Sequence, residues 1–184
     1  MTNVKTKELI APTLVLVIIC LVVTAALAIT YQITKPIIEE INLEKANLAR
    51  AEVLPEGAEG FSPLEGIELI DNVVEVYQAN NGSGMIFTIV DKGFGGDITV
   101  MVGINSSKEI EGVKVTSHQE TPGLGTKAMT VEHLSQYEGK VTISANPSDE
   151  NGIDAVTGAT VSSNAIFRAV ETALEQFEKL GGAK

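Results

Sequence analysis

The chain has 184 residues, 13 of them Lys or Arg and 24 Asp or Glu, for a formal charge of −11. An acidic surface without a basic cluster repels phosphate backbones and argues against nucleic-acid binding. One cysteine, two histidines and no tryptophan exclude an internal disulfide and a cysteine-built metal centre, and leave zinc or haem little but carboxylates to bind.

From Leu9 to Thr34 no side chain is charged. About 20 apolar residues rising 1.5 Å each span a hydrocarbon core of roughly 30 Å. The stretch therefore predicts a transmembrane helix over 9–34, with Pro12 in its first turn and Tyr31 near the far interface. Lys5 and Lys7 lie in a short tail, 1–8, on one side; Lys35, Glu39 and Glu40 lie on the other. The positive-inside rule puts the tail in the cytoplasm and the remaining chain outside. A cleaved signal peptide is the competing reading, since Ala26-Leu27-Ala28 resembles a cleavage site. Its apolar region, however, is usually only about 7–15 residues long.

Residues 35–58 follow as a juxtamembrane segment. Ile37, Ile38, Ile41, Ala46 and Leu48 recur at rough helical spacing until Pro55 and Gly57, which predicts a helix that continues the anchor or packs on the domain. A solvated stalk fits the same residues. From about 59 to the end the texture is that of a folded domain. Val73–Asn80 and Gly84–Asp91 read as strands joined at Asn81-Gly82, a hairpin signal. Asp97–Asn105 and Ile110–Ser117 read as two more, with a turn between them, and "KVTISA" (140–145) as a further strand. Thr130–Gly139 predicts a short helix. Ile166, Ala169, Val170, Ala173, Leu174 and Phe177 form one stripe of a C-terminal helix that Gly181-Gly182 stops. Four or five antiparallel strands with two helices predict an α+β domain.

Three stretches could carry chemistry. "DAVTGATVSS" (154–163) ends at the start of the last helix, where unpaired N–H groups and the helix dipole favour an anion such as a phosphate. Thr160, Ser162 or Ser163 could cap that helix, and a capped helix after a tight loop would also explain the stretch. The Gly-Lys-Ser/Thr of a P-loop is missing. "HQETPGLGTK" (118–127) has Gly123 and Gly125, which admit positive φ and close backbone approach, and Leu124, which could cover an aromatic ring. An ordinary glycine-rich loop is the alternative. "GFGGDITVMVGI" (93–104) sets glycines beside a strand, a sign of a bulge or close packing.

In this order the pieces resemble the covalent FMN-binding domain family, carried by the G-type subunit of Rnf electron transport complexes and by the related C-type subunit of sodium-pumping NADH:quinone oxidoreductases. The likeness runs from the anchor through "ARAEVLPEG" and "GFGGDITVMVGI" to "ETPGLGTK" and "DAVTGATVSS", the last two being the specific motifs. It implies an N-terminal membrane helix followed by an antiparallel-sheet FMN-binding domain packed with helices. In that family Asp-x-x-Ser/Thr-Gly-Ala-Thr holds FMN by a phosphoester on the final threonine. Carried over, Thr160 bears the flavin, and Asp154, Thr157, Gly158 and Ala159 complete the motif. The likeness further implies that Glu120, Thr121, Leu124 and Gly125 line the flavin. Lys127 is an added candidate, a cation that would stabilise a reduced anionic flavin; a plain surface lysine is the alternative.

The function so implied is a membrane-anchored electron-transfer subunit of an Rnf-type ion-translocating ferredoxin:NAD oxidoreductase. It would work with the other membrane subunits of that complex and with an FMN transferase that attaches the flavin. The chain lacks the cysteines of an iron–sulfur cluster and the Gly-x-Gly-x-x-Gly fingerprint, so NADH would react elsewhere in the relay. Its shortness favours the Rnf protein over its quinone-reducing relative. The rival readings are a flavin-free extracytoplasmic binding domain and a standalone extracytoplasmic flavoprotein reductase.

Overall fold

A computed structural model describes residues 3–57 and 59–182. Of the tail read as 1–8, Met1 and Thr2 lie outside the described residues. So do the side chains of Lys5, Lys7 and Glu39, on which the orientation reading leaned, and Ala58 of the segment 35–58.

Asn3–Val53 form one helix, α1. Its most apolar window has a mean hydropathy of 2.8 and no buried share, and it is the one helix among the described residues long and apolar enough to cross a membrane. This fits membrane association. Within it, the hydroxyls of Thr24, Thr30 and Thr34 donate to the carbonyls of Cys20, Ala26 and Thr30 at 2.7, 3.0 and 2.8 Å. These polar side chains of the apolar run are thus satisfied inside the helix, as a lipid environment requires. Pro12 is not in the first turn: the helix begins at Asn3, so Pro12 and Pro36 both lie inside it.

The chain divides into two compact units, Met1–Ala46 and Asn47–Lys184. The second is an α+β domain around a five-stranded antiparallel sheet in simple meander order. The strands are β1 (Phe61–Pro63), β2 (Val73–Ala79), β3 (Gly84–Lys92), β4 (Asp97–Asn105) and β5 (Ile110–His118). A short helix, α2 (Val131–Leu134), precedes the long C-terminal helix α3 (Thr160–Lys179). The central strands carry near-continuous buried runs because both faces of the sheet are covered. On one face α3 sets Ile166, Ala169, Val170 and Phe177 against Phe87, Ile89, Val100 and Val102. Phe177 meets Phe87 edge-on at 6.3 Å. On the other face Ala49, Val53 and Leu54, at the end of α1, pack with Ala79, Ile86 and Met101.

That second contact explains two glycines. Gly103 and Gly112 face each other across β4 and β5. A Cβ on Gly103 would stand 2.7 Å from the Val53 carbonyl carbon, and one on Gly112 would stand 3.0 Å from Val53 Cα. Only bare backbone lets the end of α1 lie this close to the sheet.

One further expectation needs correction. "KVTISA" is not a strand: Gly139 and Lys140 make one pair of backbone bonds with Ile110, and beyond them only an isolated bridge, Ser144 to Gly152, forms. The fifth strand is instead Phe61–Pro63 at the other edge, paired with Tyr77–Ala79. Its short length and terminal proline suit an edge. Gly103→Ala is expected to lower stability by about 1–3 kcal/mol through overpacking, measured by urea unfolding of the full chain in detergent.

Candidate functional site

Three segments converge at one end of the sheet: the β3–β4 turn (Gly93–Gly96), the loop 119–125 after β5, and the first turn of α3. The residue that joins them is Glu120, only 5% exposed. Its Oε1 accepts the N–H of Gly95 at 2.9 Å, and its Oε2 accepts the Ser162 hydroxyl at 2.9 Å. Burial alone would push this carboxyl up. The N–H of Gly95, the Ser162 hydroxyl, the N–H of Phe94 and the nearby His118 outweigh it, and the carboxyl is held below its ordinary value. Glycines make the cage possible. A Cβ on Gly125 would stand 2.9 Å from Glu120 Cβ, and one on Gly95 would stand 3.2 Å from Glu120 Cα. A second tie runs outside the cage, where Arg168 of α3 donates from Nε and Nη2 to Asp91 at 2.8 and 3.2 Å, and from Nη2 to the Lys92 carbonyl.

The start of α3 is uncapped. Ala159 is the N-cap residue and offers no side-chain acceptor. None of the residues considered as caps does that work. The Ser162 hydroxyl goes to Glu120, and the Ser163 hydroxyl accepts the Val156 N–H at 3.1 Å. Thr160 is the first helical residue, exposed, and its hydroxyl has no partner among the described residues. The first N–H that closes back is that of Ser163, on the Ala159 carbonyl at 2.8 Å. The N–H groups of Thr160, Val161 and Ser162 therefore remain available to an anion. Gly158, at φ 82°, makes the turn into the helix.

A cleft of about 320 Å³ opens between these segments, at the lower end of the range for small-molecule sites. It brings together Glu120, Thr121, Leu124 and Gly125 with Gly158, Ala159 and Thr160. Asp154 and Thr157 are exposed but do not line it; Asp154 borders a separate small cavity beside His133 and Tyr137. Lys127 is exposed in the same 3₁₀ turn as Gly125 and also lies outside the cleft wall. Sequence reasoning missed Phe94 and Val161, which line it as well, and read Ser162, also in its wall, only as a possible cap. Phe94 is 75% exposed at the tip of a glycine turn. A large apolar side chain held out at the mouth of a cleft was the one available signal. No group of His, Cys, Asp and Glu suited to a metal occurs among the described residues.

An uncapped helix start, an unpaired hydroxyl and an apolar rim of Phe94, Leu124 and Val161 suit an anionic group joined to an apolar one. In agreement, residues 93–175 match the family described as FMN-binding domain. Relatives include the G-type subunit of the Na(+)-translocating ferredoxin:NAD(+) oxidoreductase complex of Acetobacterium woodii, 31% identical over 91% of this chain and 90% of the relative. The G-type subunit of the ion-translocating oxidoreductase complex of Methanosarcina acetivorans is 33% identical over 92% and 94%. Its counterpart in the proton-translocating ferredoxin:NAD(+) oxidoreductase complex of Clostridium ljungdahlii is 30% identical over 92% and 91%. The chain belongs to the family of G-type subunits of ion-translocating oxidoreductase complexes, and its folded part contains an FMN-binding domain.

Glu120→Gln is expected to cost about 1.5–3 kcal/mol at neutral pH, because a buried acceptor of several charge-assisted bonds becomes half donor. A carboxyl whose folded value lies below its ordinary 4.5 stabilises fully above that value and loses the contribution as pH falls through the folded one. The gap between wild type and variant in urea unfolding should therefore narrow below about pH 4.5.

Proposed function

We propose that this chain is a membrane-anchored electron-transfer subunit of an Rnf-type ion-translocating ferredoxin:NAD oxidoreductase, with FMN attached covalently through Thr160. The single observation that carries the reading is the free Thr160 hydroxyl at an uncapped helix start inside an apolar-rimmed cleft. The named activity of relatives that span nine-tenths of the chain supports the complex. On this reading residues 9–34 cross the bilayer, 35–58 form the juxtamembrane stretch and 59–184 the flavin domain. The tail 1–8 lies in the cytoplasm and the flavin on the opposite side.

The residues present fit the group. A phosphoester on Thr160 would have its remaining negative charge favoured by the free N–H groups at the start of α3 and by the helix dipole. Phe94, Leu124 and Val161 supply apolar surface for the ring, while Thr121 and the edge of Glu120 offer polar contacts. Bound FMN supplies the one- and two-electron chemistry. The protein's own part is placement: Glu120 locks the three walls together and keeps its charge turned to Gly95 and Ser162. Small residues at Gly158 and Ala159 leave the hydroxyl open to an FMN transferase. Asp154 and Thr157, exposed on the loop ahead of the cleft, are surfaces such an enzyme could read. Lys127, outside the cleft wall, has no part in this account.

Thr160→Ala is expected to abolish flavin fluorescence in denaturing gels after co-expression with an FMN transferase, while the melting temperature of the flavin-free chain changes little. An exposed hydroxyl without a partner carries little folding energy. Normal fluorescence in the variant would move the attachment elsewhere, Thr157 being the next candidate. Absence of any fluorescence in the wild type would favour a flavin-free binding domain.

A further inference from the structure

Behind the loop 154–159 lies a cavity of about 70 Å³ lined by His133, Tyr137, Asp154, Ser163, Asn164 and Phe167, among others. Two groups on its wall are 3% and 0% exposed and lack a hydrogen-bond partner at Nε2 of His133 and the hydroxyl of Tyr137. The two rings meet edge-on at 6.1 Å. Burial lowers the His133 pKa, with the Asp154 charge opposing, so its neutral form is favoured near neutral pH.

The other ring nitrogen is engaged. His133 Nδ1 lies 3.1 Å from Gln136 Nε2, and Gln136 Oε1 accepts the N–H of Asp154 at 2.9 Å. The directions follow from chemistry. Because an amide oxygen can only accept, the Gln136 amide must present its NH₂ to His133, and Nδ1 of a neutral ring must be the acceptor. The proton then sits on Nε2, facing the cavity. This order fixes the amide of Gln136, which a surface glutamine would leave free to flip. The loop has one further side-chain anchor, the Ser163 hydroxyl on the Val156 N–H. Otherwise its own turn, Ala159 N–H to the Val156 carbonyl, is what shapes it. The exposed Asp154 carboxylate makes no hydrogen bond among the described residues.

We propose that His133 and Gln136 are positioning residues for flavin attachment: they hold the backbone of Asp154 so that its carboxylate and the Thr157–Thr160 turn are presented to the transferase in one shape. This rests on the reading that Thr160 is the attachment site. The cavity is roomy enough for water to serve the His133 and Tyr137 groups, which leaves the Asp154 amide as the end of the relay. None of these residues touches the flavin cleft, so the flavin, once attached, does not depend on them.

The test uses the flavin-free full chain in detergent with an FMN transferase and its flavin donor. Attachment rate is read by intact mass, and hydrogen exchange is followed on peptides covering 154–160. Gln136→Leu should slow attachment about tenfold, the kinetic equivalent of one lost hydrogen bond, and should speed exchange at 154–160. Gln136→Glu keeps the acceptor for the Asp154 N–H, and its carboxylate accepts from His133 once the ring carries its proton on Nδ1 instead of Nε2, so it should restore both to near wild type. Once attached, the flavin in all three proteins should have the same midpoint potential. Wild-type attachment rates in Gln136→Leu would overturn the proposal. If wild type itself accepts no flavin, the attachment reading fails instead, and the exchange data then decide the positioning role, unchanged protection in Gln136→Leu sinking it. Should Gln136→Leu unfold, His133→Phe, which keeps a ring and removes Nδ1, is read in its place. Unfolding of both would make the pair structural and end the proposal.

Discussion

The site depends on one buried carboxylate. Glu120 is reached from the β3–β4 turn through Gly95 and from α3 through Ser162, and it belongs to the loop that follows β5. Without it, the loop after β5 would lose its ties to the β3–β4 turn and to α3 together. The cost of burying a charge is offset because donors surround it. Glycines at 95 and 125 are what allow those donors to come near. A stretch that looks like a flexible loop is in this way a fixed wall.

The cleft then works by leaving something undone. Helix starts are commonly capped by their own side chains, yet α3 has serines and a threonine at hand and uses none as a cap. Ser162 is diverted to Glu120 and Ser163 to Val156, so the N–H groups and Thr160 are left for a ligand. The same glutamate that assembles the walls thus also keeps the helix start free. An electron carrier needs little more from its protein than firm placement and an accessible ring edge, and the exposed Phe94 and Leu124 rim fits a group held near the surface. Relatives named for different ions, sodium in one and protons in another, match this chain over nine-tenths of its length. Similarity in this subunit therefore does not specify the coupling ion.

Much of the fold was legible because it rests on local periodicity. The α3 stripe, the strand run Asp97–Asn105 and the Asn81-Gly82 turn are each signalled by neighbouring residues. The motif loops were legible for the same reason, and Glu120, Leu124 and Thr160 do face one cleft. What escaped were long-range pairings. Ser162 looks like a cap from its neighbours alone, whereas its partner is 42 residues away. Val141 and Ile143 alternate like a strand, but the edge of β5 pairs with this stretch only at Ile110 before the chain turns away. Phe61–Pro63 is too short to show alternation. Gln136 has nothing in its surroundings to mark it, since its bond to Asp154 spans 18 residues.

The central claim is that a flavin phosphate is esterified to residue 160. Peptide mapping by mass spectrometry of the protein purified from its natural source tests it most directly. The account predicts that the fragment running from Val141 to Arg168 carries the mass of one FMN less water, with fragmentation placing it on Thr160. That fragment at its unmodified mass, in protein isolated intact from the membrane, would contradict it.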